Sequence, residues 1–487
     1  VIPEMSSGSI SVRETGVIKA VKKTILKVEG LSSCMLGELV VLPDENKGMV
    51  MGFNEKEVLV LLLGFPQEIK AGASVYLQGE TFKIPVSEEY PGRIISPLGE
   101  PLDGKGPAAP DGAYPVFRDA PGVLERVPVS EMMRTGIRSI DTCLPIGKGQ
   151  RQLIIGDRMT GKTTLALDTI LNQKGRGVVC IYCLIGKDHV SLEKVIGTLK
   201  KHEALDYTVI VPALASSTVG EQYLAPYAAA AIGEYFMYSG RDTLVVFDDL
   251  TKHAWAYREL SLLLERPPGR EAYPGDVFYL HAQVMERAAR LSAAAGGGSM
   301  TFLPIADTLE GDIAGFIPTN LISMTDGQIY LNSALFGEGF KPAVDLGLSV
   351  SRIGSRVQPA FLKELSKDLG LRYLQYRELL KTTKLRAVLS EEMQNRLRHG
   401  VKIESLIKQD RNMPSSMAEE AIFFYALKTG VLEVLSDENM ESFKSGITEF
   451  IRGKYPEMID RLNEGGMPEE REKKLVNEAM IEFFREG

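Results

Sequence analysis

Eight residues constrain this chain more than any other stretch: GDRMTGKT, residues 156–163. They follow an apolar, strand-like QLII and precede TLALDTIL, whose apolar spacing suits a helix. Strand, glycine-rich loop and helix in that order are the context in which G-x-x-x-x-G-K-[ST] becomes a phosphate-binding loop. Gly156 and Gly161 let backbone N–H groups wrap phosphate oxygens, with Asp157, Arg158, Met159 and Thr160 forming the turn between them. The helix N-terminus adds the positive end of its dipole. Lys162 is positioned to neutralise the β and γ phosphates, and the Thr163 hydroxyl to ligate Mg²⁺. Such a loop needs an acidic partner at the end of a neighbouring apolar strand. TLVVFDDL (243–250) supplies it, with Asp248 on the metal side and Asp249 beside it. An Asp pair after a strand is also what a helix cap requires.

The loop sits in the middle of three differently textured regions. Across residues 13–84, short apolar runs such as LGELVVLP and KEVLVLLLGF alternate closely with turn signals, which predicts a small β sandwich or barrel. From about 92 to 360, apolar strands without polar alternation (QLIIG, VVCIYCLI, YTVIVPA, TLVVFDD) alternate with helix-length segments, which indicates a parallel sheet covered on both faces. SPLGEPLDGKGPAAPDGAYP (96–115) reads as a surface connection into that domain. Beyond about 362, heptad-like apolar spacing implies a helical bundle. A length of 487 residues accommodates about three domains.

Composition narrows the function classes. A net charge of −8 argues against a non-specific nucleic-acid binder. No segment approaches the roughly 18 apolar residues of a membrane span. The longest candidate, LAPYAAAAIGEYF (224–236), contains Glu234 and reads as a buried helix. The opening VIPEMSSGSISVRETG has neither a signal peptide's basic-then-apolar design nor a transit peptide's arginine-rich helix. Four cysteines in a chain this long indicate a reducing compartment. Two of them make a Cys-x-x-Cys spacing in CIYC (180–183). On a strand, residues three apart face opposite sides, so these thiols are expected to fill the core separately and not to share a metal. The histidines at 189, 202, 253, 281 and 399 show no ligand spacing.

GDRMTGKT is followed in order by YLAPYAAAAIGEYF (223–236), RPPGREAYPGDVFYLHAQVMERAARLS (266–292), IPTNLISMTDGQIYL (317–331) and PAVDLGLSVSRIG (342–354). Together these blocks resemble the α subunits of F-type ATP synthases, from about residue 13 to 430 and more weakly beyond. The resemblance implies an N-terminal β-barrel domain over 1–84, a RecA-like α/β P-loop NTPase domain with a mostly parallel sheet over 85–361, and a C-terminal helical domain over 362–487. It implies Mg²⁺ with ATP or ADP as ligands, and an alternating α₃β₃ ring around a γ central stalk, with peripheral-stalk and delta-type subunits. The complex would translocate protons or sodium ions at the cytoplasmic face of the cell membrane, or the equivalent organellar face, and this chain would touch that membrane only through its partners. A nucleic-acid partner is not expected.

In that family the catalytic chain carries a water-polarising glutamate after the glycine that closes the strand following the phosphate-loop helix, and α subunits usually have glutamine. This chain has Lys187, in IGKDHV. A lysine ammonium has no acceptor lone pair, so the site is expected to bind nucleotide and hydrolyse it poorly. Asp188 is the adjacent carboxylate that a one-residue shift would offer. The resemblance makes Arg352 the residue lent across the interface to a β-subunit catalytic site, with Arg356 a weaker competitor and Ser323 and Asp326 nearby interface positions. It places Phe336, Lys341, Pro342, Gln409 and Arg411 around the adenine. Met159, Lys341 and Arg411 depart from the family's usual glutamine, arginine and glutamine, and KLRAVLSEEMQNRL (384–397) keeps the α-type pattern poorly. The competing reading is a catalytic homohexameric P-loop ATPase of secretion or Rho-like type, which should carry the glutamate that Lys187 replaces. A structural ring subunit that no longer uses nucleotide would explain the altered adenine positions, but the intact Lys162, Thr163 and Asp248 argue against it.

Overall fold

A computed structural model describes residues 14–43, 46–64, 69–383, 390–466 and 470–486. Of the sequence readings, most of the opening segment and the first six residues of 384–397 lie outside that range.

The N-terminal runs close into a six-stranded antiparallel barrel. Its circuit is Thr15–Lys22, Ile25–Glu29, Val58–Leu63, Lys47–Phe53, Glu38–Val41 and Ser74–Thr81. Closure satisfies every strand edge, which decides between the two expected forms in favour of the barrel. Ile18, Leu26, Val28, Val40, Val60 and Val75 fill its interior. Ile25, Met49 and Leu61 face outward and join the core of the next domain.

The central sheet has eight strands. Its main path runs Thr208–Ala213, Val179–Ile185, Asp242–Asp248, Ser299–Asp307, Leu153–Gly156, Gly327–Leu331 and Val350–Ser351, with Ala289–Arg290 beside Ser299–Asp307. Pairing is parallel except for Val350–Ser351 and Ala289–Arg290. The strand Val179–Ile185 shows why these runs lack polar alternation. Cys180, Tyr182 and Leu184 pack into one core, while Val179, Ile181, Cys183 and Ile185 pack into the other. The two cysteines therefore lie on opposite faces, both fully buried and free.

The alanine-rich segment is a buried helix, Val219–Tyr238, started by a Thr218–Glu221 capping box. Its Glu234 is fully buried and receives two hydrogen bonds of 2.7 Å from Arg287, which explains how a carboxylate sits inside an apolar helix. Among the described residues, no helix is long and apolar enough to cross a membrane. The 96–115 stretch is more than a surface connection. Ser96 and Leu98 are buried, and Gly112–Pro115 pairs with Lys83–Val86 as a two-stranded ribbon. Among the described residues, seven α-helices between Ala360 and Glu486 form the C-terminal region. Their apolar faces continue one core of the central sheet, including Leu406, Phe423 and Ile459.

Candidate functional site

The phosphate loop leaves the end of Leu153–Gly156 and enters the helix Lys162–Leu171. Its glycines are dictated by space and by backbone angle. A Cβ at Gly156 would meet the Leu331 carbonyl oxygen at 2.4 Å, and Gly161 has φ +100° at the helix N-cap. Gly156 lies directly beside Asp307 in the sheet register. That adjacency sets the position of Lys162. Its ammonium is 3.0 Å from Asp307 Oδ1 and donates to the Gly156 and Asp157 carbonyls at 2.8 and 2.6 Å. Asp157 accepts from Thr308 Oγ1 (2.6 Å) and Gly311 N (2.8 Å). Burial acts against its carboxylate, yet these hydrogen bonds outweigh burial and hold its pKa below the ordinary range. Arg158 approaches Asp307 at 3.4 Å. Thr160 Oγ1 closes the turn on the Asp157 carbonyl (2.8 Å), and Met159 stands 88% exposed at its tip.

The acidic partner arrives on Asp242–Asp248, two strands along from Leu153–Gly156 with Ser299–Asp307 between them. Asp248 Oδ2 accepts from Thr163 Oγ1 at 2.8 Å and from Tyr182 Oη at 2.7 Å. A hydroxyl and a carboxylate meeting in this way are the hard oxygen donors that suit Mg²⁺. The other oxygen, Oδ1, is 3.0 Å from the Lys187 ammonium, which also lies 2.9 Å from Asp249 Oδ2. Two buried carboxylates thus share one lysine. Burial works against the Lys187 charge, but Asp248 and Asp249 outweigh it and raise its pKa above the usual lysine value. With two carboxylates for one ammonium, burial pushes the Asp249 pKa above the ordinary carboxylate value. Asp249 also caps the helix Leu250–Leu263 by accepting from Lys252 N at 2.7 Å. The metal-side and capping readings of the pair are therefore divided between its two members. Asp188 is exposed and caps its own helix, His189–Lys201, through Ser191 N at 2.7 Å. That bond lowers its pKa and orients the carboxylate along the helix start.

A cavity of about 270 Å³ opens against this pair, lined by Thr163, Lys187, Lys194, Asp248, Arg411 and Asn412 among others. Arg411 thus belongs to the same cavity as Thr163. The other residues expected around adenine are grouped further out. The Lys341 ammonium lies 5.0 Å from the Phe336 ring centroid, and Gln409 N donates to the Lys341 carbonyl at 2.9 Å. Pro342 follows Lys341 through a cis peptide. The Gln409 side chain is fully engaged with the protein. It accepts from Arg138 N (3.0 Å) and donates to the Gly136 and Met413 carbonyls (2.7 Å each).

On the opposite sheet edge, Arg352 is exposed, and among the described residues its guanidinium has no partner. Its backbone N–H donates to the Asp326 carbonyl at 2.9 Å. The Asp326 carboxylate is gripped in a two-point contact by Arg151, at 3.0 and 2.7 Å. Asp326 therefore anchors the backbone at Arg352, just past the edge strand Val350–Ser351. Ser323 closes its helix end by donating to the Asn320 carbonyl at 2.7 Å. Arg356 is exposed four residues further on, at the end of the short 3-10 turn Gly354–Arg356. Sequence reasoning missed Asp307, Tyr182 and Arg151. For Asp307 a signal existed, since SMTFLPIAD (299–307) is another apolar run ending on an acid.

A glycine loop between strand and helix, a lysine inside it and an acidic strand two places along a parallel sheet define a P-loop nucleotide-binding domain of the RecA type. Residues 136–351 match the family described as "ATP synthase alpha/beta family, nucleotide-binding domain", and 358–483 match "ATP synthase alpha/beta chain, C terminal domain". The chain is 45% identical to the ATP synthase subunit alpha of Petrotoga mobilis over 99% of its own length and 96% of the relative's. It is also 45% identical to that of Clostridium acetobutylicum over 91% and 88%. The chain belongs to the family of F-type ATP synthase alpha subunits.

Proposed function

We propose that this chain is the non-catalytic, nucleotide-binding member of an alternating ring with β subunits, and that it lends Arg352 to their catalytic sites. The observation that carries the first half is the Lys187 ammonium bound across Asp248 and Asp249 at 3.0 and 2.9 Å. Water attack on a γ-phosphate needs an acceptor that takes or polarises a proton. A cation held by two carboxylates cannot play that role. The same residue argues against a catalytic homohexamer.

In this reading Lys162 leaves the loop carbonyls and contacts the β and γ phosphates, while the loop N–H groups wrap them. Mg²⁺, when bound, neutralises phosphate charge, and Thr163 and Asp248 would hold it. Phe336, Lys341, Pro342, Gln409 and Arg411 would surround the base. Lys341 keeps a positive charge there but lacks arginine's planar fork. The exposed, unpartnered guanidinium of Arg352 supports its role in trans, since a planar cation can bind two phosphate oxygens of a neighbour. The γ stalk, the peripheral stalk and a peripheral position on the cytoplasmic face of a membrane follow from the same assignment. Arg352→Ala should leave nucleotide binding by this chain intact. In the reconstituted complex it should lower multi-site ATP turnover by about 10³-fold or more, the scale of an arginine finger. Unchanged turnover would refute the role.

A further inference from the structure

We infer that the Lys187 ammonium is a tethered counter-ion that lets this site hold a nucleoside triphosphate without a divalent metal. The inference deepens the nucleotide-binding reading above and rests on it.

Three observations lead to it. First, the acidic residue that would face a metal is already paired with a cation. Both Asp248 oxygens are engaged, one by Lys187 at 3.0 Å and the other by the Thr163 and Tyr182 hydroxyls at 2.8 and 2.7 Å. In a metal-dependent site the divalent ion shields the phosphates from that carboxylate, so removing the ion sets like charges against each other. Here a covalently attached cation sits against the same carboxylate, at its other oxygen, and chelators cannot extract it.

Second, Lys187 has donor capacity left. An ammonium carries three N–H donors, and its contacts to Asp248 and Asp249 at 3.0 and 2.9 Å are ion pairs that do not saturate them. Its side chain is 22% exposed, while Asp248 and Asp249 are at 1% and 0%. Lys187 is thus the most exposed member of the trio, lining the cavity together with Asp248. It lines the same 270 Å³ cavity as Thr163, the loop's own hydroxyl. Third, the charged residues lining that cavity are mostly cations. Lys194 and Arg411 line it with Lys187, and Asp248 is the only acid among the lining residues. A phosphate chain entering from the loop meets ammonium and guanidinium groups where a metal-dependent site would present a bare carboxylate.

The test is equilibrium dialysis of radiolabelled ATP against the full chain, with excess Mg²⁺ and with the metal chelated by EDTA. For the unmodified chain, Kd should rise by less than about threefold on chelation, whereas for Lys187→Gln it should rise by roughly thirtyfold or more. Lys187→Arg, which keeps the charge, should behave like the unmodified chain. Circular dichroism checks that each variant is folded. If Lys187→Gln does not fold, the unmodified chain and Lys187→Arg decide the matter by their own ratios. A large chelation effect in the unmodified chain would overturn the inference while leaving nucleotide binding standing. Equal metal independence in a folded Lys187→Gln would take the role away from Lys187. Absence of ATP binding even with Mg²⁺ would instead refute the nucleotide-binding reading on which the inference rests.

Discussion

The two ends of the nucleotide site are built differently. At the phosphate end, Lys162, Thr163, Asp248 and Asp307 sit at the mouths of central strands, and each is bonded to a group on another element. At the proposed base end, Phe336 is 37% exposed, and the position of Lys341 depends on contacts from the 408–413 loop. That loop is fastened mainly through one side chain, Gln409, and through Asn412, whose N–H is accepted by Asp168 at 2.8 Å. Asp168 lies on the phosphate-loop helix, so the two ends are joined through a single helix. The difference teaches that phosphate recognition is fixed by the sheet itself. The proposed base recognition rests on loops, which carry Lys341 and Arg411, two positions that the resemblance marks as altered.

The largest effect is expected at the phosphate end. Lys162→Ala removes a charge-assisted contact and leaves Asp307 without its closest cation, which should cost about 3 kcal/mol, or roughly a hundredfold in ATP affinity. Equilibrium binding to the full chain measures it, and a change of less than about threefold would break the comparison. Gln409→Ala should act more weakly on affinity and more on the fold. It deletes three hydrogen bonds at the base end, with an expected cost of about 2 kcal/mol in unfolding free energy and only a few-fold in Kd. Denaturant unfolding and nucleotide binding, measured on the same variant, separate the two effects. An affinity loss equal to that of Lys162→Ala would erase the distinction between the ends.

The smallest effect is a dependence on pH at the joint. Burial raises the Asp168 pKa from 3.8 to about 6 against the opposing hydrogen bond from Asn412. A carboxylate with a raised pKa in the folded state stabilises the fold fully below about pH 4. That contribution is lost as pH rises through about 6. Asp168→Asn keeps the acceptor for Asn412 N and removes the charge. It should therefore raise unfolding free energy at pH 8 by on the order of 2 kcal/mol, and change little near pH 4. Unfolding curves at the two pH values test this, and equal shifts at both would show that ionisation of Asp168 is not the cause.

How much was legible in the sequence follows the same division. The phosphate end is local chemistry. Gly156, Gly161, Lys162 and Thr163 sit within eight residues, and Asp248 closes an unmistakable strand, so pattern and physics converge on them. The three-region architecture was readable because hydrophobic periodicity changes twice along the chain. The partners of Lys187 were not readable, because they depend on which strands become neighbours. Val179–Ile185 lies beside Asp242–Asp248 with Leu184 opposite Asp248, and that register delivers the lysine to both carboxylates. Asp307 escaped for the same reason, since only sheet order places it next to Gly156. The resemblance singled out Asp326 as an interface position. Its grip on Arg151 and on the Arg352 backbone became visible only in three dimensions.

The central claim is that this chain holds nucleotide and does not turn it over, because Lys187 stands where an attacking water would need an acceptor. The most direct measurement mixes the full chain with substoichiometric radiolabelled ATP and follows the bound label by quenching in acid over many turnover times of the assembled enzyme. The label should remain ATP throughout. Conversion to ADP at a rate comparable to the assembled enzyme would contradict the account.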